Sequence, residues 1–223
     1  KERDVAYKLN VQGVKYLLNS ISCLKNKPLF VQFSTDHVFN GFDERNGDYS
    51  EEDIPNPTNY YGETKFESER LAGHYIKDLD SIIIRTSLTF GDYKHKDGNR
   101  ADRLHHMILN KLKQEKEFEV DINSIISPTY LEYLCEGVIF LLENNNRGIF
   151  HISGKDALSK YEFAVEIAKL LGIGYAKKIT LKEPQSAIKN TSLNTQKITD
   201  IGFYQLGIEE ALSRYKFNSE IFK

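Results

Sequence analysis

The chain has 223 residues, of which 40% are hydrophobic and 28% are charged, and its formal net charge is −2. This length can bury a substantial core in one domain or two small ones, and the near-neutral charge argues against a nucleic-acid-binding surface. No apolar run approaches the length of a membrane span, and the charged start does not resemble a signal peptide. Cys23 and Cys135 lie far apart in the sequence, so we expect partly buried, reduced thiols in a cytoplasmic protein, and no metal site.

Helical and strand patterns alternate in the first part of the chain. The sequence predicts a helix at 3–20, a strand at 29–34, a helix at 59–75 and a strand at 81–85, with a loop between the first strand and the second helix. Both strands are short, apolar and bounded by polar residues. Such an alternation is typical of an α/β fold, in which a parallel sheet is joined by crossover helices.

The second part of the chain mixes helices and short strands. The polar segment 91–103 is predicted to be a loop, and the strand at 149–152 is expected to return to the main sheet. The other predicted elements are helices at 103–113, 130–144 and 161–171 and a strand at 178–181.

Tyr61 and Lys65 stand four residues apart at the start of a predicted helix, so their side chains share one face. A phenol near an ammonium group has its anion favoured, which makes it a usable proton donor or acceptor near neutral pH. Thr35 comes at the carboxyl end of a predicted strand, where parallel α/β sheets bind their ligands. Its hydroxyl could hydrogen-bond the same substrate oxygen. The three groups are those needed to reduce a carbonyl when the hydride comes from elsewhere.

The surroundings of these residues resemble a known family. The segments STDHVFNG, which begins at Ser34, and YSEEDIPNPTNYYGETK, which ends at Lys65, are similar to the extended short-chain dehydrogenase/reductase family. Within that family they resemble the dTDP-4-dehydrorhamnose reductase branch, which also includes the regulatory β subunit of methionine adenosyltransferase. Further similar segments are IIIRTSLTFG, GIFHISG and SKYEFA.

The resemblance implies a Rossmann-like parallel sheet, here without its first strands, and a small α/β substrate-binding lobe. Residues 1–90 would form the last part of the dinucleotide-binding domain. Residues 91–223 would form mainly the substrate lobe, with elements near 130–152 returning to the first domain. The implied activity is the NAD(P)H-dependent reduction of a 4-keto nucleotide-sugar, as in the biosynthesis of rhamnose-type sugars, and the resemblance also allows a homodimer.

The resemblance also assigns residues to roles. Tyr61 would donate the proton, Thr35 would orient the carbonyl, and Lys65 would lower the pKa of Tyr61 and hold the nicotinamide ribose. The residues implied in binding NADP or NAD are Ser34, Tyr61, Lys65, Thr86 and Ser87. Those implied in binding the substrate are Thr35, Asp36, His37, Leu88 and Lys189.

Four residues depart from the family pattern and leave the sugar open. His37 replaces a tyrosine, Leu88 a tryptophan, and Lys189 with Asn190 an Arg-Pro pair. Two other functions also stay open: a nucleotide-sugar epimerase or dehydratase, and a regulatory subunit without catalysis. A dehydratase would carry an Asp-Glu pair after the threonine, where this chain has Asp36 and His37.

No glycine-rich dinucleotide fingerprint of the form G-x-G-x-x-G occurs in the chain. Those glycines let the backbone approach the pyrophosphate of the cofactor at a helix N-terminus. The resemblance places that loop upstream of residue 1, so we expect about the last three-quarters of a family member. The chain would then be a fragment or a naturally shortened protein, and a shortened protein should bind a dinucleotide poorly.

Overall fold

The computed structural model describes residues 2–42, 46–75, 80–91, 104–174, 178–182 and 189–218. The loop predicted at 91–103 therefore lies outside the described residues from residue 92 onward. The helices of the described ranges are α1 Glu2–Tyr7, α2 Gly13–Ser22, α3 Tyr60–Tyr75, α4 Leu104–Lys113, α5 Leu131–Glu143, α6 Lys160–Leu170, α7 Gln196–Asp200 and α8 Ile208–Asn218. Their strands are β1 Phe30–Thr35, β2 Ser81–Thr86, β3 Thr89–Phe90, β4 Phe118–Asp121, β5 Ser124–Ile126, β6 Thr129–Tyr130, β7 Gly148–His151, β8 Leu158–Ser159, β9 Ile179–Lys182 and β10 Lys189–Asn190.

The first sheet has the strand order β1-β2-β7, and both pairings are parallel. Its middle strand carries three consecutive buried isoleucines, as a strand covered on both faces should. In the register, Thr35 lies opposite Thr86, which brings the carboxyl ends of β1 and β2 side by side. This parallel sheet with its helices confirms the predicted α/β fold. Its third strand, β7, comes from the second half of the chain.

The first predicted helix contains an irregularity that the sequence pattern did not indicate. A π-helical segment, Lys8–Gln12, joins α1 to α2. Within it, the Asn10 side-chain amide donates a 3.0 Å hydrogen bond to Thr64 Oγ1 on α3. Because π segments shift the faces of the helices they interrupt, this one lets Asn10 reach α3 while α2 buries Leu18.

Short strands build the remaining sheets, and the sequence pattern missed most of them. A three-stranded sheet has the order β10-β5-β8, and two-stranded parallel pairs are formed by β3 with β6 and by β4 with β9. The strand predicted at 178–181 is present as β9. The main apolar core includes β2 and β7 of the first sheet as well as several of these short strands, and it contains residues of α4, α5, α6 and α8. The predicted division of the chain into two domains at residue 90 stays a prediction.

A segment that we call the strap, residues 189–194, ties the second half of the chain to the loop after β1. Its backbone exchanges hydrogen bonds with that loop, from Asn190 N to Gly41 O at 2.8 Å and from Tyr49 N to Ser192 O at 2.9 Å. Gly47 has a φ of 97°, and a side chain there would collide with Asn190. Glycine is therefore favoured at this position of the turn against which the strap packs.

Cys23 and Cys135 are both free and exposed, so the expectation that these thiols are partly buried is wrong. Among the described residues, no helix combines the length and the apolar character needed to cross a bilayer.

Candidate active site

A cavity of about 450 Å³ opens at the carboxyl edge of β1 and β2. Parallel sheets bind their ligands at this edge, and the volume is typical of small-molecule sites. Every residue assigned to the site from the sequence lines this cavity except Lys65. Those lining residues are Ser34, Thr35, Asp36, His37, Tyr61, Thr86, Ser87, Leu88 and Lys189.

The end of β1 is held by a hydrogen-bonded turn. Thr35 is buried and caps the short 3₁₀ turn Asp36–Val38, where its Oγ1 accepts the His37 amide hydrogen at 3.2 Å. The same hydroxyl donates to Asp36 Oδ1 at 3.1 Å. Asp36 is also buried, and its Oδ2 accepts from Ser87 Oγ at 3.1 Å and Thr191 Oγ1 at 2.7 Å.

Asn59 caps α3 and so fixes the position of Tyr61. Its Oδ1 accepts from the Gly62 amide at 2.8 Å, as the side chain of a capping residue does at the start of a helix. Its side-chain nitrogen donates to His37 Nδ1 at 3.0 Å. Gly62 packs directly against the His37 carbonyl, where a side chain would collide. The rings of His37 and Tyr61 consequently meet edge to face, with centroids 5.8 Å apart.

The pKa of Tyr61 is raised above its ordinary value, first by burial and then by the negative charge of Asp36, while a hydrogen bond with Thr35 acts in the opposite direction. Lys65 is not among these causes, and its effect on the pKa of Tyr61 stays a prediction. The phenol is protonated at neutral pH, which is the form that can donate a proton to a carbonyl oxygen, and the raised pKa makes it a weaker acid than an ordinary tyrosine.

Lys65 lies one helical turn beyond Tyr61 and outside the cavity lining. Its Nζ donates to the Phe33 carbonyl oxygen on β1. Burial lowers the pKa of this lysine, although the charge of Glu69 opposes that effect. The ammonium group is thus anchored beside the strand end that carries Thr35.

Two buried hydroxyls of the cavity have no hydrogen-bond partner among the described residues: Ser34 Oγ and Thr86 Oγ1. An unsatisfied buried polar atom is costly, so a polar group of a bound ligand would be favoured here. Thr86 also borders an apolar groove formed chiefly by Phe33, Leu131, Leu134 and Val138.

The opposite wall of the cavity carries groups that the sequence analysis did not assign: Ser124, Lys160 and Thr191. Lys189, which it did assign, donates from Nζ to Thr58 Oγ1 at 3.1 Å, and burial lowers its pKa against the opposing charge of Asp36. The S-x-x-E capping box of α6 was a readable signal, because it places Lys160 at the first turn of a helix.

Comparisons with known proteins agree with this geometry. The model of the family described as RmlD substrate binding domain matches residues 1–214. The dTDP-4-dehydrorhamnose reductase of Aggregatibacter actinomycetemcomitans is 35% identical over 73% of this chain and 53% of its own length. Methionine adenosyltransferase 2 subunit beta of Bos taurus is 25% identical over 94% of this chain and 64% of its own length.

Among solved structures, the dTDP-4-dehydrorhamnose reductase of Bacillus anthracis in complex with NADP superposes with a TM-score of 0.80 at 26% identity. The superposition covers 98% of this chain and 75% of that one. The fold is thus that of Rossmann-like dehydrogenase/reductase structures. The chain belongs to the RmlD substrate binding domain family. It spans about half the length of the curated reductase that it matches.

Proposed function

We propose that this chain carries the carbonyl-reducing site of an NAD(P)H-dependent reductase that acts on dTDP-4-dehydrorhamnose or a closely related 4-keto nucleotide-sugar. The observation that carries the proposal is the cavity itself, because Thr35 and Tyr61 lie together at the carboxyl edge of a parallel sheet. The similarity to two dTDP-4-dehydrorhamnose reductases, one in sequence and one in structure, supports the substrate class.

The residues of the chain fit a nicotinamide dinucleotide, which the related structure binds as NADP. Ser34 and Thr86 offer buried hydroxyls that lack partners among the described residues, and Lys65 on α3 offers a cation that is anchored at the Phe33 carbonyl of β1. We assign these three side chains to the cofactor. Such a cofactor, when bound, supplies the hydride. NADP and NAD both remain proposals, as does the contribution of Ser87.

Tyr61 donates the proton to the carbonyl oxygen in this proposal, because its phenol is protonated at neutral pH. Thr35, whose own proton goes to Asp36, lines the same cavity. Leu88, His37 and Lys189 line the part of the cavity available to the sugar nucleotide. Lys189 and Lys160 supply positive charge to a substrate that carries a diphosphate.

We further propose that the protein works in the cytoplasm, where thiols such as Cys23 stay reduced.

Calorimetry with NADPH and NADH tests the cofactor assignment on the natural full-length protein. We expect micromolar binding that the Lys65→Met variant weakens at least tenfold, because the ammonium group is removed from the strand end. Lys15→Met, which changes an exposed lysine on α2, is the matched control and should bind as the parent does. Equal binding by all three proteins would contradict the role of Lys65, and no binding by the parent would contradict the reductase proposal.

A second function is favoured by one specific comparison, since the match to methionine adenosyltransferase 2 subunit beta covers more of this chain than the match to the reductase. In that alternative the protein binds a partner enzyme and keeps the cleft without turnover. Affinity purification from the source cell separates the two functions. One stoichiometric partner together with no reduction of dTDP-4-dehydrorhamnose would favour the regulatory function, and turnover by the isolated protein would favour the reductase.

A further inference from the structure

Three hydroxyls from three separate parts of the chain converge on Asp36. Thr35 ends β1, Ser87 follows β2, and Thr191 belongs to the strap, more than 150 positions away along the chain. The shortest of the three hydrogen bonds is the one from Thr191, at 2.7 Å. With only 3% of its surface exposed, Asp36 depends on these donors in place of water. Both of its oxygens are engaged by the protein.

The hydroxyl of Thr35 has one proton, and Asp36 accepts it. One lone pair of that oxygen takes the His37 amide hydrogen at 3.2 Å. The direction in which the Thr35 hydroxyl points is therefore decided by where the Asp36 carboxylate lies. Thr35 and Tyr61 line the same cavity, so a displacement of Asp36 would turn the Thr35 hydroxyl beside the proton donor.

We propose that Thr191 is a positioning residue for the reaction at Tyr61: its hydroxyl fixes Asp36, and Asp36 fixes the hydroxyl of Thr35. The inference rests on the proposed function, because it assigns a role within the same site. Asp36 then acts as the connection between the strap and the proton donor. The sequence analysis assigned Asp36 to the substrate, and its engagement by three hydroxyls favours this positioning role.

The strap does not need the Thr191 hydroxyl to stay in place. The Thr191 amide donates to the Ile125 carbonyl at 3.0 Å, and neighbouring strap residues bond to Gly41 and Tyr49 through the backbone. Replacing Thr191 by valine keeps the shape of the side chain and removes only the donor. The variant therefore isolates the hydrogen bond to Asp36 from the folding of the strap.

The test measures kcat, KM for dTDP-4-dehydrorhamnose and Kd for NADPH in the natural full-length protein. We expect Thr191→Val to lower kcat about tenfold without changing the affinity for NADPH, and Thr191→Ser to restore it. The matched control is Thr195→Val, which removes another buried threonine hydroxyl just beyond the strap. Its oxygen accepts from Gln205 at 3.3 Å, so its loss should leave kcat unchanged. An unchanged kcat in Thr191→Val, or equal losses in both valine variants, would overturn the inference.

A second measurement keeps the inference separate from the proposed function. The pKa of Tyr61 is followed by nuclear magnetic resonance on carbon-labelled tyrosine, with the resonance assigned by its loss in Tyr61→Phe. The titratable groups lining the cavity are Asp36, His37, Tyr61, Lys160 and Lys189. The pKa of Tyr61 should fall in Asp36→Asn and shift in Thr191→Val. In Thr195→Val it should stay at the value of the parent protein. Absence of turnover in the parent would refute the reductase, whereas an unshifted pKa in Thr191→Val would refute the positioning role alone.

Discussion

Two buried carboxylates of this molecule hold their negative charge in different ways. Glu69 is 4% exposed and receives a two-point ion pair from Arg85, with Nε at 3.1 Å and a terminal nitrogen at 2.8 Å. Asp36 is equally buried, but its donors are neutral hydroxyls. The charge of Glu69 is paired with Arg85 and also acts on Lys65. The charge of Asp36 acts on Tyr61 and Lys189 across the cavity. We infer that the first carboxylate serves chiefly the fold, and that the second bears on the proposed reaction.

The ion pair extends into a framework below the site. A terminal nitrogen of Arg85 lies 3.5 Å from His151 Nε2, and His151 Nδ1 lies 3.1 Å from the Asn194 carbonyl, to which it donates. The amide of His151 donates to Glu51 at 2.7 Å. These contacts join β2 and β7 to the end of the strap. Substitutions at these contacts should change the free energy of unfolding, whereas substitutions at Asp36 and its hydroxyl donors should change turnover.

The largest expected effect is on stability, from Arg85→Met. The change leaves Glu69 buried without its cation, which should lower the free energy of unfolding by about 3–5 kcal/mol. Chemical denaturation measures it. Arg70→Met is the control, because the Arg70–Glu67 pair is exposed and should contribute no more than about 1 kcal/mol. A double variant with methionine at both Arg85 and Glu69 should regain part of the lost stability. Equal losses in Arg85→Met and Arg70→Met would contradict the structural role given to the Arg85–Glu69 pair.

Tyr61→Phe should have the largest effect on turnover. Removing the proton donor should lower kcat by about 10²-fold or more, while the affinity for NADPH and the unfolding free energy stay close to those of the parent. Steady-state kinetics and calorimetry measure these quantities. Tyr60→Phe, on the neighbouring residue outside the cavity lining, is the control. Near-normal turnover in Tyr61→Phe would remove this residue from the mechanism.

The two regions should also differ in their response to pH. Burial, with the positive charge of Arg85, lowers the pKa of His151 from 6.5 to about 3, so the unfolded chain takes up a proton that the folded protein excludes. The contribution of His151 to the free energy of unfolding is therefore fully present above pH 6.5, and it is lost as the pH falls toward 3. Thermal unfolding across this range should show the decline, and His151→Gln should flatten it. An equally steep decline in the variant would assign the effect to other groups.

The smallest expected effect is that of His37→Tyr, which restores the residue usual in the resembling family. His37 lies at the cavity wall and touches Tyr61 edge to face. We expect a change of about two- to fivefold in KM for the sugar nucleotide, worth less than about 1 kcal/mol, with no change in NADPH affinity. Kinetics with both substrates measure it. A change in the affinity for NADPH alone would instead assign His37 to the cofactor-binding part of the cavity.

Much of the fold could be predicted because its long elements carry strong periodic patterns. The helix found as α3 was expected at 59–75, and its cap at Asn59 is readable from the preceding proline and threonine. The π segment at Lys8–Gln12 was missed because one extra residue hardly disturbs the apolar spacing. Strands such as β4 and β10 were missed because they are short and pair with partners distant in the sequence. Neither property appears in a local window.

Part of the candidate site could be predicted because its residues lie close together along the chain. Ser34, Thr35 and Tyr61 fall within one segment and line the same cavity, whereas Thr86 and Lys189, which also line it, were assigned through the family resemblance. Thr191 enters from the strap, and only the folded chain shows that its hydroxyl reaches Asp36. The sign of the Tyr61 pKa shift was also missed, since burial and the Asp36 charge depend on packing. The spacing of Tyr61 and Lys65 indicated only a nearby ammonium group. It gave no indication of burial or of the Asp36 charge.

The most direct test of the account follows the hydride. The natural full-length protein is incubated with dTDP-4-dehydrorhamnose and NADPH that carries deuterium at the reactive carbon of the nicotinamide, and the product is analysed by nuclear magnetic resonance. The account predicts deuterium at C4 of the sugar, with the transfer slowed at least 10²-fold in Tyr61→Phe. A sugar that stays unreduced, or a reduced sugar without deuterium at C4, would contradict it.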